Sequence, residues 1–364
     1  MNRTYNQFVI LFLSLFLFGC NGSSDKTVSV RTKSKQAILM DSLQKLDSLV
    51  LKYRAKNATE SMGYARQAGK LAEVSKTPEA RAKAYIILGN AISVIRVDSG
   101  FFFFHKALIV IDSFNLTDDK GTVLYNLGLL NDKAGNYKEC IRLVDSALRF
   151  SISVKDFKTK SNSLNSLGSF YYDIGEKEIA RKMFDSAFTV AKSKSLYLQM
   201  GSALGNLARF EPDEKKSIAE SRLAISYLER SSCSDDIIAM ILINIGYRFS
   251  DIDSAFHYYN QAINRVSVDY APEVMIAAYN NLAYCYLEKG DLEKAKMCIE
   301  EYALPVAVKT NNTDWLSTVY DTYADVLQKK GNADDARVYK RKSMEVKKTF
   351  RASVSANLLS KKNN

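Results

Sequence analysis

The side chains best suited to covalent or coordination chemistry are five cysteines, Cys20, Cys140, Cys233, Cys285 and Cys298, and two histidines, His105 and His257. No two cysteines have CxxC spacing, and two distant imidazoles cannot complete a ligand set, so no metal site is expected. A disulfide between Cys285 and Cys298 and small buried thiols on helices both fit the later cysteines. No GxGxxG, phosphate loop, HExxH or nucleophile elbow occurs in the chain. The acidic pairs Asp118-Asp119 and Asp235-Asp236 fall between expected helices and read as solvated turn charges. No catalytic residues and no cofactor are therefore expected, and the chain reads as a non-enzyme.

Cys20 stands apart because of what precedes it. Phe8–Phe18 is an eleven-residue stretch whose one polar residue is Ser14, and Arg3 lies upstream. Such a run is too short to span a bilayer but has the layout of a secretory signal. Leu17-Phe18-Gly19-Cys20 resembles a bacterial lipobox. That resemblance implies cleavage after Gly19, thioether-linked diacylglycerol and added acyl chains such as palmitate on Cys20. Acyl chains contribute about 0.8 kcal/mol per buried methylene, so two or three anchor a domain stably. The alternative is an ordinary secretory signal with a chance cysteine. Asn21 resembles the outer-membrane sorting class, which implies an envelope protein facing the periplasm. The expected segments are a signal peptide over 1–19, a small, polar, flexible tether over 20–35, a helical array over 36–347 and a basic tail over 348–364.

The elements behind the tether follow from composition and rhythm. The chain has 364 residues, 47% hydrophobic, with only four prolines. That composition supports a real core and favours helix. One phrase recurs: Ile87-Leu88-Gly89, Asn126-Leu127-Gly128, Ser166-Leu167-Gly168, Asn206-Leu207-Ala208, Asn244-Ile245-Gly246, Asn281-Leu282-Ala283 and Thr322-Tyr323-Ala324. The steps between third residues are 39, 40, 40, 38, 37 and 41, a period that signals a solenoid. A second phrase follows with a small residue, a large apolar one four later, and a small one three after that. Examples are Cys140-Val144-Ala147, Ala180-Phe184-Ala187, Ala255-Tyr259-Ala262 and Ala295-Ile299-Tyr302, the last ending in a large residue. These offsets share one helical face. Gly135, Gly175, Gly290 and Gly331 lie between the phrases and are expected to end the first helix in a left-handed conformation.

Each unit therefore reads as two antiparallel helices, and the series resembles the tetratricopeptide repeat over nearly all of 36–347. The resemblance implies an all-α, right-handed α-solenoid of about eight units, stretched beyond the usual period. The units at Leu204–Tyr227 and Ile243–Ala262 carry irregular turns. Phe101-Phe102-Phe103-Phe104 opens a second helix, either as core or as an exposed patch.

In that family the first helices line a concave groove. Positions one after and three before the phrase's small residue, with Tyr172 beside them, supply the groove candidates Asn90, Tyr125, Asn165, Tyr172, Arg209, Tyr247, Asn280 and Tyr284. Asn, Tyr and Ser suit peptide amides, so a peptide or protein partner is expected. Lysines that clamp a C-terminal carboxylate in chaperone-binding members are missing at these positions. The net charge is +11. From Lys340 onward eight basic residues face Glu345 alone, which fits a polar solenoid cap or contact with anionic lipid or glycan. Nucleic acid is not an expected partner of an exported chain.

Two functions compete. One is a lipid-anchored scaffold holding a protein or peptide in its groove. The other is a stand-alone or truncated sensor module, because the chain resembles periplasmic repeat regions of sensor kinases and transcription regulators. It reaches Asn364 without the transmembrane helix and output domain that follow the repeats in those proteins.

Overall fold

The computed structural model describes residues 34–54, 57–231, 233, 235–269, 271–310 and 313–358. The expected signal peptide, Cys20 and nearly all of the expected tether lie outside the described residues. The chain divides into two compact units, Met1–Ile38 and Leu39–Asn364. Of the first, only the opening of helix α1 (Lys35–Tyr53) is described.

The second unit is an α-solenoid, and among the described residues it contains no strand. Helix α2 (Ala58–Ser75) completes the first pair with α1. The next pairs are α3 (Pro78–Ile92) with α4 (Val97–Ser113), α5 (Lys120–Lys133) with α6 (Tyr137–Ser153), and α7 (Phe157–Asp173) with α8 (Lys177–Ser193). Then come α9 (Tyr197–Leu207) with α10 (Glu214–Glu229) and α11 (Asp235–Arg248) with α12 (Ile252–Arg265). In the seventh pair α13 (Pro272–Glu288) packs on a helix built from α14 (Leu292–Met297), a π segment (Cys298–Ala303) and α15 (Leu304–Lys309). The last pair is α16 (Thr313–Lys329) with α17 (Ala333–Leu358).

Local chemistry starts and stops these helices. The side chains of Asp156, Asp213, Asp251 and Asp291 accept the backbone N–H three residues on, each capping its helix. Gly135, Gly175, Gly290 and Gly331 have φ between +75° and +90° in the turns inside the pairs. Turns between the early pairs instead use Lys76, Asn115, Lys155 and Ser195 in the left-handed region. The fifth pair is irregular because Pro212 follows a 3₁₀ turn, Ala208–Phe210, that cuts α9 short.

Packing within a pair depends on close approach at the first phrase. A Cβ at Gly168 would sit 2.8 Å from the Phe184 ring, and one at Gly89 2.7 Å from Phe104. The same holds for Gly128 against Val144 and Gly246 against Tyr259. The second-phrase residues Cys140, Val144, Ala147, Ala180, Phe184 and Ala187 are fully buried. The seventh unit shows how its large final residue is accommodated. The π segment adds one residue to the turn, so Ala303 takes the buried position and Tyr302 moves outward to stack on Tyr279 at 4.3 Å. Of the four phenylalanines, Phe104 is core and Phe102 is exposed beneath the Lys106 ammonium, 4.4 Å from its ring centre. Cys140, Cys233, Cys285 and Cys298 are free thiols, so the Cys285–Cys298 disulfide is not formed.

The C-terminal boundary falls differently from the sequence reading. Helix α17 continues from Ala333 through Leu358, across the expected start of the tail at 348. It also contacts α6 and α7, five and four pairs back along the chain. Phe350 is buried against Cys140, Ile141, Val144, Leu167 and Phe170, edge-on to Tyr137 at 5.0 Å. Lys340 and Lys347 meanwhile tie α17 to Asp321 on α16.

Gly168→Ala would favour helix by up to ~1 kcal/mol on propensity alone. Overfilling against the rigid Phe184 ring costs about 1–3 kcal/mol. The expected net effect in urea unfolding is a loss of about 1 kcal/mol, recovered when Phe184→Leu is added. A stabilised single variant contradicts the packing account.

Candidate functional site

The inner helices α3, α5, α7, α9, α11, α13 and α16, with Arg54 just past α1 and side chains from α4 and α10, surround an open cavity of about 830 Å³. Because the solenoid alternates helix direction, these inner helices all run the same way. Their first turns therefore lie along one rim and their last turns along the other.

Six of the eight groove candidates line this cavity: Asn90, Tyr125, Asn165, Tyr172, Arg209 and Tyr247. Two do not. Asn280 is 4% exposed within α13, with its Oδ1 lacking a hydrogen-bond partner, and Tyr284 is exposed outside the cavity. Helix α13 buries side chains on most of its circumference, which encloses Asn280. The reverse error is more instructive. Asn126, Asn206, Asn244 and Asn281, the first letters of the recurring phrase, also line the cavity. At about 100° per residue, a position two before the glycine lies ~160° from it, nearly opposite the outer helix. Positions three before and one after lie only ~60° and ~100° away, on the flanks. The phrase displayed these asparagines, and a helical projection was the signal that could have placed them.

Four of the cavity asparagines, Asn90, Asn126, Asn165 and Asn206, are oriented by hydrogen bonds. Asn126 Nδ2 donates to Asn90 Oδ1 at 3.1 Å, and Asn90 Nδ2 donates to Asp47 Oδ1 at 3.1 Å. Asn206 Nδ2 donates to Asn165 Oδ1, also at 3.1 Å. The hydroxyls of Tyr125 and Ser166 share a hydrogen bond of 3.0 Å. Burial pushes the Tyr125 hydroxyl above the ordinary tyrosine range, with the Ser166 bond pulling the other way. Asn90, Asn126, Asn165 and Asn206 each use part of their hydrogen-bonding capacity on a neighbour. Arg209 lies 3.9 Å from the Tyr172 ring centre, and Tyr172 packs edge-on to Phe210. Arg248 Nη2 donates to the Glu211 and Pro212 carbonyls at 2.6 and 3.1 Å, closing the irregular turn after α9.

The base of the ladder is an ion cluster. Lys83 Nζ lies 3.4 Å from Asp47 and 3.5 Å from Asp119, with Lys83 and Asp47 almost wholly enclosed. Burial works against the ammonium, but the two carboxylates outweigh it and hold the Lys83 pKa above its usual value. Asp119 is thus part of an ion cluster rather than a free turn charge. Asp235 likewise pairs with Arg265 at 2.9 Å. Among the described residues no group of three or more His, Cys, Asp or Glu is placed to hold a metal.

Two segments, 161–194 and 274–349, match tetratricopeptide repeat models. Those two segments carry tetratricopeptide repeats. Among curated proteins no sequence matches. Solved structures share the fold. One is a Rap protein complexed with competence and sporulation factor, at TM-score 0.58 and 14% identity, covering 87% of this chain and 99% of that one. Another is the Rap conjugation gene regulator of plasmid pLS20 in complex with the Phr* peptide, at 0.58 and 13%, covering 88% and 98%. The apo quorum sensor NprR from B. thuringiensis aligns at 0.50 and 14%, covering 87% and 89%. At these identities the likeness is one of tetratricopeptide-like architecture.

Lys83→Met leaves Asp47 and Asp119 without their cation. The expected cost in urea unfolding is about 3–5 kcal/mol. A change under about 1 kcal/mol indicates that the cluster does not hold the ladder's base.

Proposed function

We propose that the chain is a lipid-anchored scaffold of the bacterial cell envelope that captures a short peptide, or an extended protein segment, inside its superhelix. The observation that carries the binding reading is the oriented asparagine ladder on the inner wall of an 830 Å³ cavity also lined by Tyr125, Tyr172, Tyr247 and Trp315. Amides held in register offer alternating donors and acceptors to a peptide backbone, and aromatic faces take its side chains. Two proteins of similar fold are complexed with a named factor or peptide, which agrees with this reading. The anchoring rests on Leu17-Phe18-Gly19-Cys20, and Asn21 supports an outer-membrane position facing the periplasm. On this reading the chain binds and does not catalyse, and nucleic acid is not its partner.

Trp315 is the chain's single tryptophan and lines the cavity. Members of a synthetic hexapeptide pool retained by the purified protein should change its emission saturably. Asn165→Ala should weaken that binding several-fold, the scale of one hydrogen bond at ~0.5–1.5 kcal/mol. Tyr284→Ala should leave it unchanged. A pool with no retained member refutes the peptide reading.

In cells fed labelled palmitate, the label should follow the wild-type chain and be lost in Cys20→Ala. A labelled Cys20→Ala chain, or an unlabelled wild type, refutes the anchor.

A further inference from the structure

The cavity's charges are sorted by rim. Lys133 and Arg248 are the last residues of α5 and α11, and Arg54 and Arg209 lie just past the ends of α1 and α9. Against these four cations the same rim of the cavity holds one carboxylate, Asp173. At the opposite rim stand Asp236 and Glu273, each the second residue of its helix, α11 and α13. The apolar lining of that rim comes from the first turns too: Ile237, Val274 and Trp315 are each third in their helices.

Charges so placed also complement helix dipoles. Complementing a dipole does not account for the bonding of individual atoms. Arg54 Nε, Arg248 Nε and Asp236 Oδ1 are buried and have no hydrogen-bond partner. The three residues are half-buried, and a shielded donor or acceptor atom without a partner carries a desolvation cost that a bound ligand offsets. Asp236 and Arg248 mark the two rims on one helix. Twelve residues at 1.5 Å set the rims ~18 Å apart along that helix, so a chain running from the Asp236–Glu273 rim to the Arg54–Lys133 rim needs at least about five or six extended residues.

From this, and resting on the peptide reading above, we infer that the cavity takes its peptide in one direction, with a free carboxylate at the Arg54–Lys133 rim and a free ammonium on an apolar first residue at the Asp236–Glu273 rim. The ion pairs set the direction, while the asparagine ladder between the rims holds the backbone without regard to sequence. Arg54 and Lys133 are helix-end residues and not the groove lysines of chaperone-binding relatives, which this chain lacks.

The test uses the full chain and one hexapeptide pool in three forms: both ends free, C-terminally amidated, and N-terminally acetylated. Retained members are identified by mass spectrometry and titrated through Trp315 emission. Free peptides with an apolar first residue should dominate. Amidation and acetylation should each weaken binding tenfold or more. Arg54→Gln/Lys133→Gln should lose sensitivity to amidation and keep it to acetylation, and Asp236→Asn/Glu273→Gln should do the reverse. Retained peptides indifferent to both modifications overturn the direction while leaving the peptide reading intact. Swapped sensitivities in the two variants overturn it as well. A protein that retains nothing from any form overturns both readings together.

Discussion

The structure depends on the absence of a side chain at one point in four of the inner helices. Gly89, Gly128, Gly168 and Gly246 let Phe104, Val144, Phe184 and Tyr259 rest directly on the backbone of the partner helix. A large residue against bare backbone fixes both the separation of the two helices and their rotation about their own axes. Rotation is what matters for the interior. Where the small residue faces the outer helix, the residue two before it is turned to the far side, and at Asn126, Asn206, Asn244 and Asn281 that side is the cavity. The placement of these asparagines thus follows from hairpin packing, with glycine at 128 and 246 and alanine at 208 and 283 as the small residue.

Polar order inside this wall needs its own foundation. An amide can point either way about its last torsion, and a row of free amides presents no fixed pattern. Here the row starts at Asp47, a carboxylate that only accepts, so Asn90 must donate to it and can only accept from Asn126. Lys83 makes that buried carboxylate tolerable. Direction therefore propagates from one charged cluster outward along neutral groups. In the middle pairs Asn165 and Asn206 form a second such link.

Most of the architecture was legible because its signals are local. Helix pairs, glycine turns and the tightly packed phrases all act within about twenty residues, which is the range a repeat displays. Of the eight candidate positions read from the sequence, six line the cavity. Flanking positions such as Asn165 and Tyr125 were found, the facing asparagines were missed, and Asn280 was included although α13 buries it. Two features had no local signal at all. The extra residue of the π turn at Cys298–Ala303 is visible only when Tyr302 is seen displaced. The return of α17 to α6 depends on superhelical rotation summed over five pairs, and Phe350 sits in a basic stretch that reads as solvated.

That return changes what kind of object the array is. A stack whose units touch only their neighbours can fray from either end, each unit melting nearly on its own terms. Phe350 inserts the last helix into the wall formed by Cys140, Ile141 and Leu167, so the end of the chain is clasped to its middle. Unwinding the final pair must break that clasp, and loosening the third pair must release it. A spring held in this way resists changes of pitch, and its coils are bound to give way together.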